Sequence, residues 1–229
     1  MVARRGSWSR SERERPYTSG LVTHLQTPLS GDLIERLGSA VDRESKIPRA
    51  LEALGPTADR DVLVLDGSAA LPAARLVGDQ ARVTSISATQ LETPGTPAMD
   101  GSADVLVLGW STFRGPSPAE LAAAERWLRP GGRLLVVHDY GRDDVSRLRP
   151  ERSELVAWSH RNGPFLKGGF RVHVVHCFWT FESGAAAGTF LERAFGEAGR
   201  DVAATLRRPR LSYNVAVYHR TRGGGPPAD

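Results

Sequence analysis

The residues best equipped for chemistry form one short run, His138-Asp139-Tyr140. An imidazole titrates near neutral pH and can act as a general base, with a carboxylate or phenol beside it to orient a substrate. The same run also reads as a polar end to a strand. A second group, His173, His176 and Cys177, has metal-ligand residue types. Along a strand, however, His173 and Cys177 share a face about 13 Å apart while His176 points away, so the three cannot meet on one ion. Core packing is the better account of that segment. No GxSxG elbow, P-loop or CxxC pair supports hydrolase, nucleoside triphosphatase or zinc chemistry.

The elements that must position these groups follow from apolar spacing. Leu33, Ile34, Leu37 and Val41 recur at helical intervals after a possible cap at Ser30, and Ile47, Leu51 and Leu54 repeat the pattern before Gly55-Pro56. Val62-Leu63-Val64-Leu65 has no polar face, as expected of a strand covered on both sides. It ends in Asp66-Gly67-Ser68. A helix from Ala69 to Val77 and a strand at Arg82 to Ile86 complete a βαβ unit. Another strand starts at Asp104. Ser117-Pro118-Ala119-Glu120 then offers an N-cap, a proline at the first helical position and a capping-box glutamate. That helix stops at Arg129-Pro130-Gly131-Gly132, before a strand over Arg133 to Val137. Ser153 to Trp158 and Ala185 to Ala198 read as helices, the latter stopped by Gly199. Val172 to Phe181 and Leu211 to Tyr218 read as strands. The sum is a doubly wound α/β sheet.

Arg129-Pro130-Gly131-Gly132 and the strand after it, the entry Ala103-Asp104-Val105, and the later Gly168-Gly169-Phe170-Arg171-Val172 and Asn214-Val215-Ala216-Val217 resemble class I S-adenosylmethionine-dependent methyltransferases. The resemblance spans about Glu44 to Arg220. It implies a Rossmann-like, mostly parallel seven-stranded sheet with an antiparallel last strand, and S-adenosylmethionine as cofactor. Ligands of such sheets sit beyond the carboxyl ends of the strands. The cofactor positions are then Asp66, Gly67, Ser68, Ala70, Ser87, Gly109 and Trp110, and the catalytic candidates are His138, Asp139 and Tyr140. In this setting His138 would take the acceptor's proton, while Trp110 would stack on the adenine or plug the core.

Four departures stand out. Where the family has three alternate glycines, this chain has Asp66, Ser68 and Ala70, whose side chains crowd a close backbone approach. Ser87 replaces the acidic residue that holds the ribose hydroxyls, and a neutral hydroxyl is the weaker acceptor. Asp66 either meets the cofactor's ammonium or caps a helix. Two functions follow: methyl transfer to an unidentified small-molecule or macromolecular acceptor, or a methyltransferase-fold binding or regulatory module without cofactor.

Composition narrows the setting. The chain has 229 residues, 40% hydrophobic and 24% charged. That suits one domain, over residues 29–220, between an arm at 1–28 and a tail at 221–229. No apolar run approaches the roughly 18 residues of a membrane span, and the lone Cys177 fits a reducing, cytoplasmic compartment. The net charge is +4 and the pI near 9.7, with Lys46 and Lys167 the only lysines. The arginines are scattered and no nucleic-acid motif accompanies them, so nucleic acid is not an expected partner.

Overall fold

In a computed structural model, the described residues are 29, 31–66, 70–78, 80–87, 100–111, 113, 117–148 and 160–223. The expected arm at 1–28, Gly67, Ser68 and the helix expected at Ser153 to Trp158 lie outside them. The elements in chain order are α1 (Gly31–Ala40), α2 (Lys46–Leu54), β1 (Asp61–Asp66), α3 (Ala73–Leu76), β2 (Arg82–Ile86) and β3 (Ala103–Gly109). There follow α4 (Pro118–Arg126), β4 (Leu128–Asp139), a 3-10 turn (Val145–Leu148), α5 (Pro164–Lys167), β5 (Arg171–Thr180), α6 (Gly184–Thr205) and β6 (Arg210–Thr221).

The strands form one sheet in the order β2-β1-β3-β4-β6-β5. The first four run parallel, and β6 lies antiparallel between β4 and β5. This is the expected Rossmann-like sheet with its antiparallel last strand. The strand count is six among the described residues, which corrects the expected seven. The residue pattern itself offers six segments of strand character, and the seventh came from the resemblance alone. Between β2 and β3 the chain carries Pro94-Gly95 and Pro97 instead of a β-branched run.

Alternation along the strands divides the core in two. Val62 and Val64 of β1, Val105 and Val107 of β3, and Leu135 and Val137 of β4 face a cluster completed by α1, α2, α3 and α6. Leu63, Leu65, Leu106, Leu108, Leu134 and Val136 face the other cluster, with Ala124 of α4, Trp127 and Phe165 of α5. All these strand residues are at most 5% exposed. At roughly 1.5–3 kcal/mol per buried aliphatic side chain, this two-sided burial is the main support of the sheet.

Local signals explain several boundaries. Ser117 and Glu120 form the expected capping box, with Glu120 N donating to Ser117 Oγ at 3.3 Å and Ser117 N to the Glu120 carboxylate at 2.8 Å. The helix expected over Ala69 to Val77 is described as helical only at Ala73–Leu76. In α6 the break falls at Gly196, with φ 59 and ψ −129, and helical structure resumes through Gly199 to Thr205. At Gly199 the helix turns so close to the Leu191 carbonyl that a Cβ would overlap it.

Candidate functional site

The parallel strands β1, β3 and β4 end together. Asp66 pairs with Gly109, and Gly109 pairs with Val137. Just beyond Gly109, Trp110 adopts φ 47, left-handed backbone that a bulky residue rarely takes. Its N–H donates to Val137 O at 2.8 Å, and its indole turns toward the end of β4. There Nε1 donates to Asp139 Oδ1 at 3.0 Å. The hydroxyl of Tyr213, on β6, donates to the same oxygen at 2.5 Å. Trp110 and Tyr213 are 3% and 1% exposed, and Asp139 is half-buried. Burial first, then the adjoining Asp139 carboxylate, pushes the Tyr213 phenol well above its usual range.

Polar contacts extend from this corner into the segment after β4. The Asp143 carboxylate accepts from Ser146 N at 2.8 Å, Ser146 Oγ at 2.5 Å and Asn214 N at 2.6 Å. Burial raises its pKa, and the neighbouring Asp139 adds to the rise. Asp144 Oδ2 accepts from Ser212 N and Oγ at 2.9 and 2.7 Å. Asn214 Nδ2 donates to the carbonyls of Gly141 and Arg142, each at 3.2 Å. The segment 141–148 is thereby stitched to the start of β6.

The expected catalytic trio does not converge. His138 and Asp139 alternate on β4 and point to opposite faces. His138, 3% exposed, shares a 2.8 Å hydrogen bond between Nε2 and Phe113 O, and its ring lies 6.0 Å from that of Phe165. Tyr140 packs on that same side. Its N–H donates to Asn214 O at 2.8 Å, and the Arg142 guanidinium lies 5.9 Å from its ring. Asp139 alone of the three faces the Trp110 corner. Tyr213, Asp143, Asp144 and Asn214 were not among the candidate site residues read from the sequence. A signal existed in Tyr213, the one polar-tipped residue on the inward side of Leu211, Tyr213, Val215 and Val217.

The cofactor positions are spread between core and surface. Ala70 is 6% exposed. Arg75 of α3 donates to Ala70 O at 3.4 Å, to Val41 O at 3.1 Å and to Gly38 O, tying the turn after β1 to the last turn of α1. A Cβ on Gly38 would stand 3.2 Å from Ala70 O, so the two backbones are in close approach. A Cβ on Gly109 would stand 3.1 Å from Leu76 Cδ1, so α3 already packs against it. Ser87 is exposed at the end of β2. Described residues therefore do not supply what S-adenosylmethionine calls for in such a sheet. Ser87 stands where the resemblance implies a ribose-binding carboxylate, Ala70 is packed inward with its carbonyl tied to Arg75, and the Trp110 indole is engaged by Asp139. For metals, no group of three or more His, Cys, Asp or Glu among the described residues could hold an ion. No helix among them is long and apolar enough to cross a membrane.

Strand order and orientation define a methyltransferase-type Rossmann-like fold. No family model matches the chain and no curated protein matches it. Solved structures do. One is geranyl diphosphate methyltransferase in complex with SAM, with 18% identity, 85% of this chain and 92% of that chain covered, and a TM-score of 0.38. Another is geranyl diphosphate C-methyltransferase from Streptomyces coelicolor A3(2), in complex with Mg2+, geranyl diphosphate and S-adenosyl-L-homocysteine. Its identity is 16%, with 78% and 77% covered and a TM-score of 0.37. A third is the YcgJ protein from Bacillus subtilis, with 15% identity, 79% and 99% covered, and a TM-score of 0.40.

Proposed function

We propose that this protein is a methyltransferase-fold binding module whose ligand site has moved away from S-adenosylmethionine chemistry, set in the cytoplasm. The observation that carries this reading is the internal use of the side chains that methyl transfer would need. His138 is bonded to a backbone carbonyl in the core, and Asp139 serves two buried donors, Trp110 and Tyr213. A general base must reach the proton it removes, directly or through one water. His138 faces the cluster of α4 and α5, away from the corner where Asp139 stands. Asp139 acts as a hydrogen-bond hub that fixes the ends of β3, β4 and β6.

Methyl transfer is the second reading, favoured by the left-handed backbone of Trp110 at the carboxyl end of β3. Backbone held in such a region costs of order 1–3 kcal/mol and concentrates at functional sites. The acceptor for that reading is a small molecule or a macromolecular side group.

Titration calorimetry of the purified chain with S-adenosylmethionine and with S-adenosylhomocysteine separates the two. The module reading expects no heat from either ligand. Saturable binding of both, with methyl release to any acceptor, would overturn it.

A further inference from the structure

On the stretch of the sheet that precedes the Trp110 corner, four cationic or potentially cationic side chains share one face. Residues directly opposite on paired strands project to the same side. The register sets Arg171 of β5 opposite His219 of β6, His219 opposite Leu135 of β4, and Arg133 of β4 opposite Thr221. His173 lies two residues along β5 from Arg171 and so on the same face. Arg171 and His173 are exposed, while Arg133 and His219 are half-buried. Arg133 is held in place, its Nε donating to Leu54 O at 2.8 Å and Nη1 to Thr221 Oγ1 at 2.5 Å.

The charges around His219 are of one sign. Burial lowers its pKa first, and then Arg133, Arg171 and His173 lower it further. The anions of the elements packed nearby are directed elsewhere. Glu52 of α2 accepts from Thr57 N and Oγ1, and Glu125 of α4 pairs with Arg220 on the other face of the sheet. Glu44 pairs with Lys46 at the far end of α2. Such an arrangement is repulsive by itself and is relieved by an anion that accepts from guanidinium and imidazolium together.

We infer that Arg133, Arg171, His173 and His219 form a binding corner for a phosphoryl dianion, free or esterified. By register its members stand from two strand residues (His173, level with Val137) to six (Arg133) short of Asp139, and it is a site separate from the Trp110 corner. A doubly charged tetrahedral anion would bridge the Arg171 guanidinium and the two imidazoles, with Arg133 and the Thr221 hydroxyl behind. Binding would protonate the imidazoles.

Imidazole C2–H resonances of His173 and His219, followed by NMR in the full-length chain, test this. The probes are inorganic phosphate and glycerol phosphate, each compared with sodium chloride at equal ionic strength. His176, bonded to Asn214 on the opposite face of β5, is the internal control. The expected result is a saturable upward shift of both imidazole pKa values, absent at His176. Arg171→Ala should weaken it about tenfold without moving the melt, since Arg171 is exposed. A response to inorganic phosphate identifies the free ion as ligand, and a response to the ester alone identifies an esterified group; either supports the site. No shift with either probe, or equal shifts in wild type and Arg171→Ala, overturns it. So does binding of a short oligodeoxynucleotide without any response to the small phosphates.

Discussion

Trp110 reaches Asp139 across the ends of two neighbouring parallel strands, its indole N–H donating to Oδ1 at 3.0 Å. The contact requires a left-handed residue at the exit of β3 and a carboxylate at the last position of β4. Tyr213 completes it from an antiparallel strand that arrives more than 70 residues later in the chain. Three strand ends are thus held by one oxygen atom. The arrangement gives that edge of the sheet a fixed shape whether or not any reaction occurs there.

Removing the hub should cost more than neutralising it. Asp139→Ala takes this acceptor from two donors on residues no more than 3% exposed, at a penalty of about 2–3 kcal/mol. Asp139→Asn keeps an acceptor oxygen and should cost about 1 kcal/mol. Urea unfolding of both variants measures the difference. Equal midpoints for Asp139→Ala and wild type would show that the hub carries no stability.

Tyr213 gives this hub an alkaline signature. Its phenol titrates well above the ordinary value in the folded chain, so the folded state holds the proton more firmly than the unfolded one. The associated stability is fully present below about pH 10, the unfolded value, and is lost as pH rises from there toward the folded pKa. Tyr213→Phe lacks the titrating group. The stability gap between wild type and Tyr213→Phe should therefore narrow as pH rises above about 10. A gap constant across that range would contradict a buried, carboxylate-bonded phenol.

The sheet was legible because every strand but the edge strand β2 carries its own apolar run, and two-sided burial writes itself as the unbroken Val62-Leu63-Val64-Leu65 pattern. The capping box at Ser117 was equally local. What escaped was the direction of side chains at strand ends. His138-Asp139-Tyr140 looks like one cluster in sequence, yet strand alternation sends His138 and Asp139 to opposite faces. Tyr213 joins Asp139 only through the β4 and β6 pairing, a long-range contact no local pattern announces. The helix stop read at Gly199 was misplaced because two glycines compete there, and only the backbone shows Gly196 to be the one with positive φ.

Gly196 should accordingly be the least replaceable residue of that helix by conformation, and Gly199 by space. With φ 59 and ψ −129, Gly196 occupies a region costing other residues of order 1–3 kcal/mol, although open space surrounds the Cβ position. At Gly199 an added methyl would collide with the Leu191 carbonyl, which cannot move without distorting α6. Gly196→Ala should lower the melting temperature by several degrees, and Gly199→Ala by more. Gly188→Ala, on an unobstructed helical position, should be neutral or stabilising. A Gly196→Ala protein as stable as Gly188→Ala would show that the two halves of α6 form one regular helix in solution.

The cofactor question turns on whether introducing the residues that the resemblance implies creates binding. Ser87→Asp supplies an ionised acceptor at the end of β2, and Ala70→Gly removes a side chain from the turn after β1. If those two side chains were the whole defect, each repair should recover about 1–3 kcal/mol, and together they would bring a Kd near 1 mM down to the micromolar range. The geometry argues otherwise. Arg75 still ties Ala70 O to the carbonyls of Gly38 and Val41, Leu76 still packs against Gly109, and the Trp110 indole remains engaged by Asp139. None of these contacts depends on Ser87 or on the Ala70 methyl. Ser87→Asp/Ala70→Gly should therefore stay silent in calorimetry with S-adenosylmethionine and S-adenosylhomocysteine while melting within a few degrees of wild type. Micromolar binding by the double variant would mean that the turn opens readily, and that two side chains rather than the packing beneath them exclude the ligand.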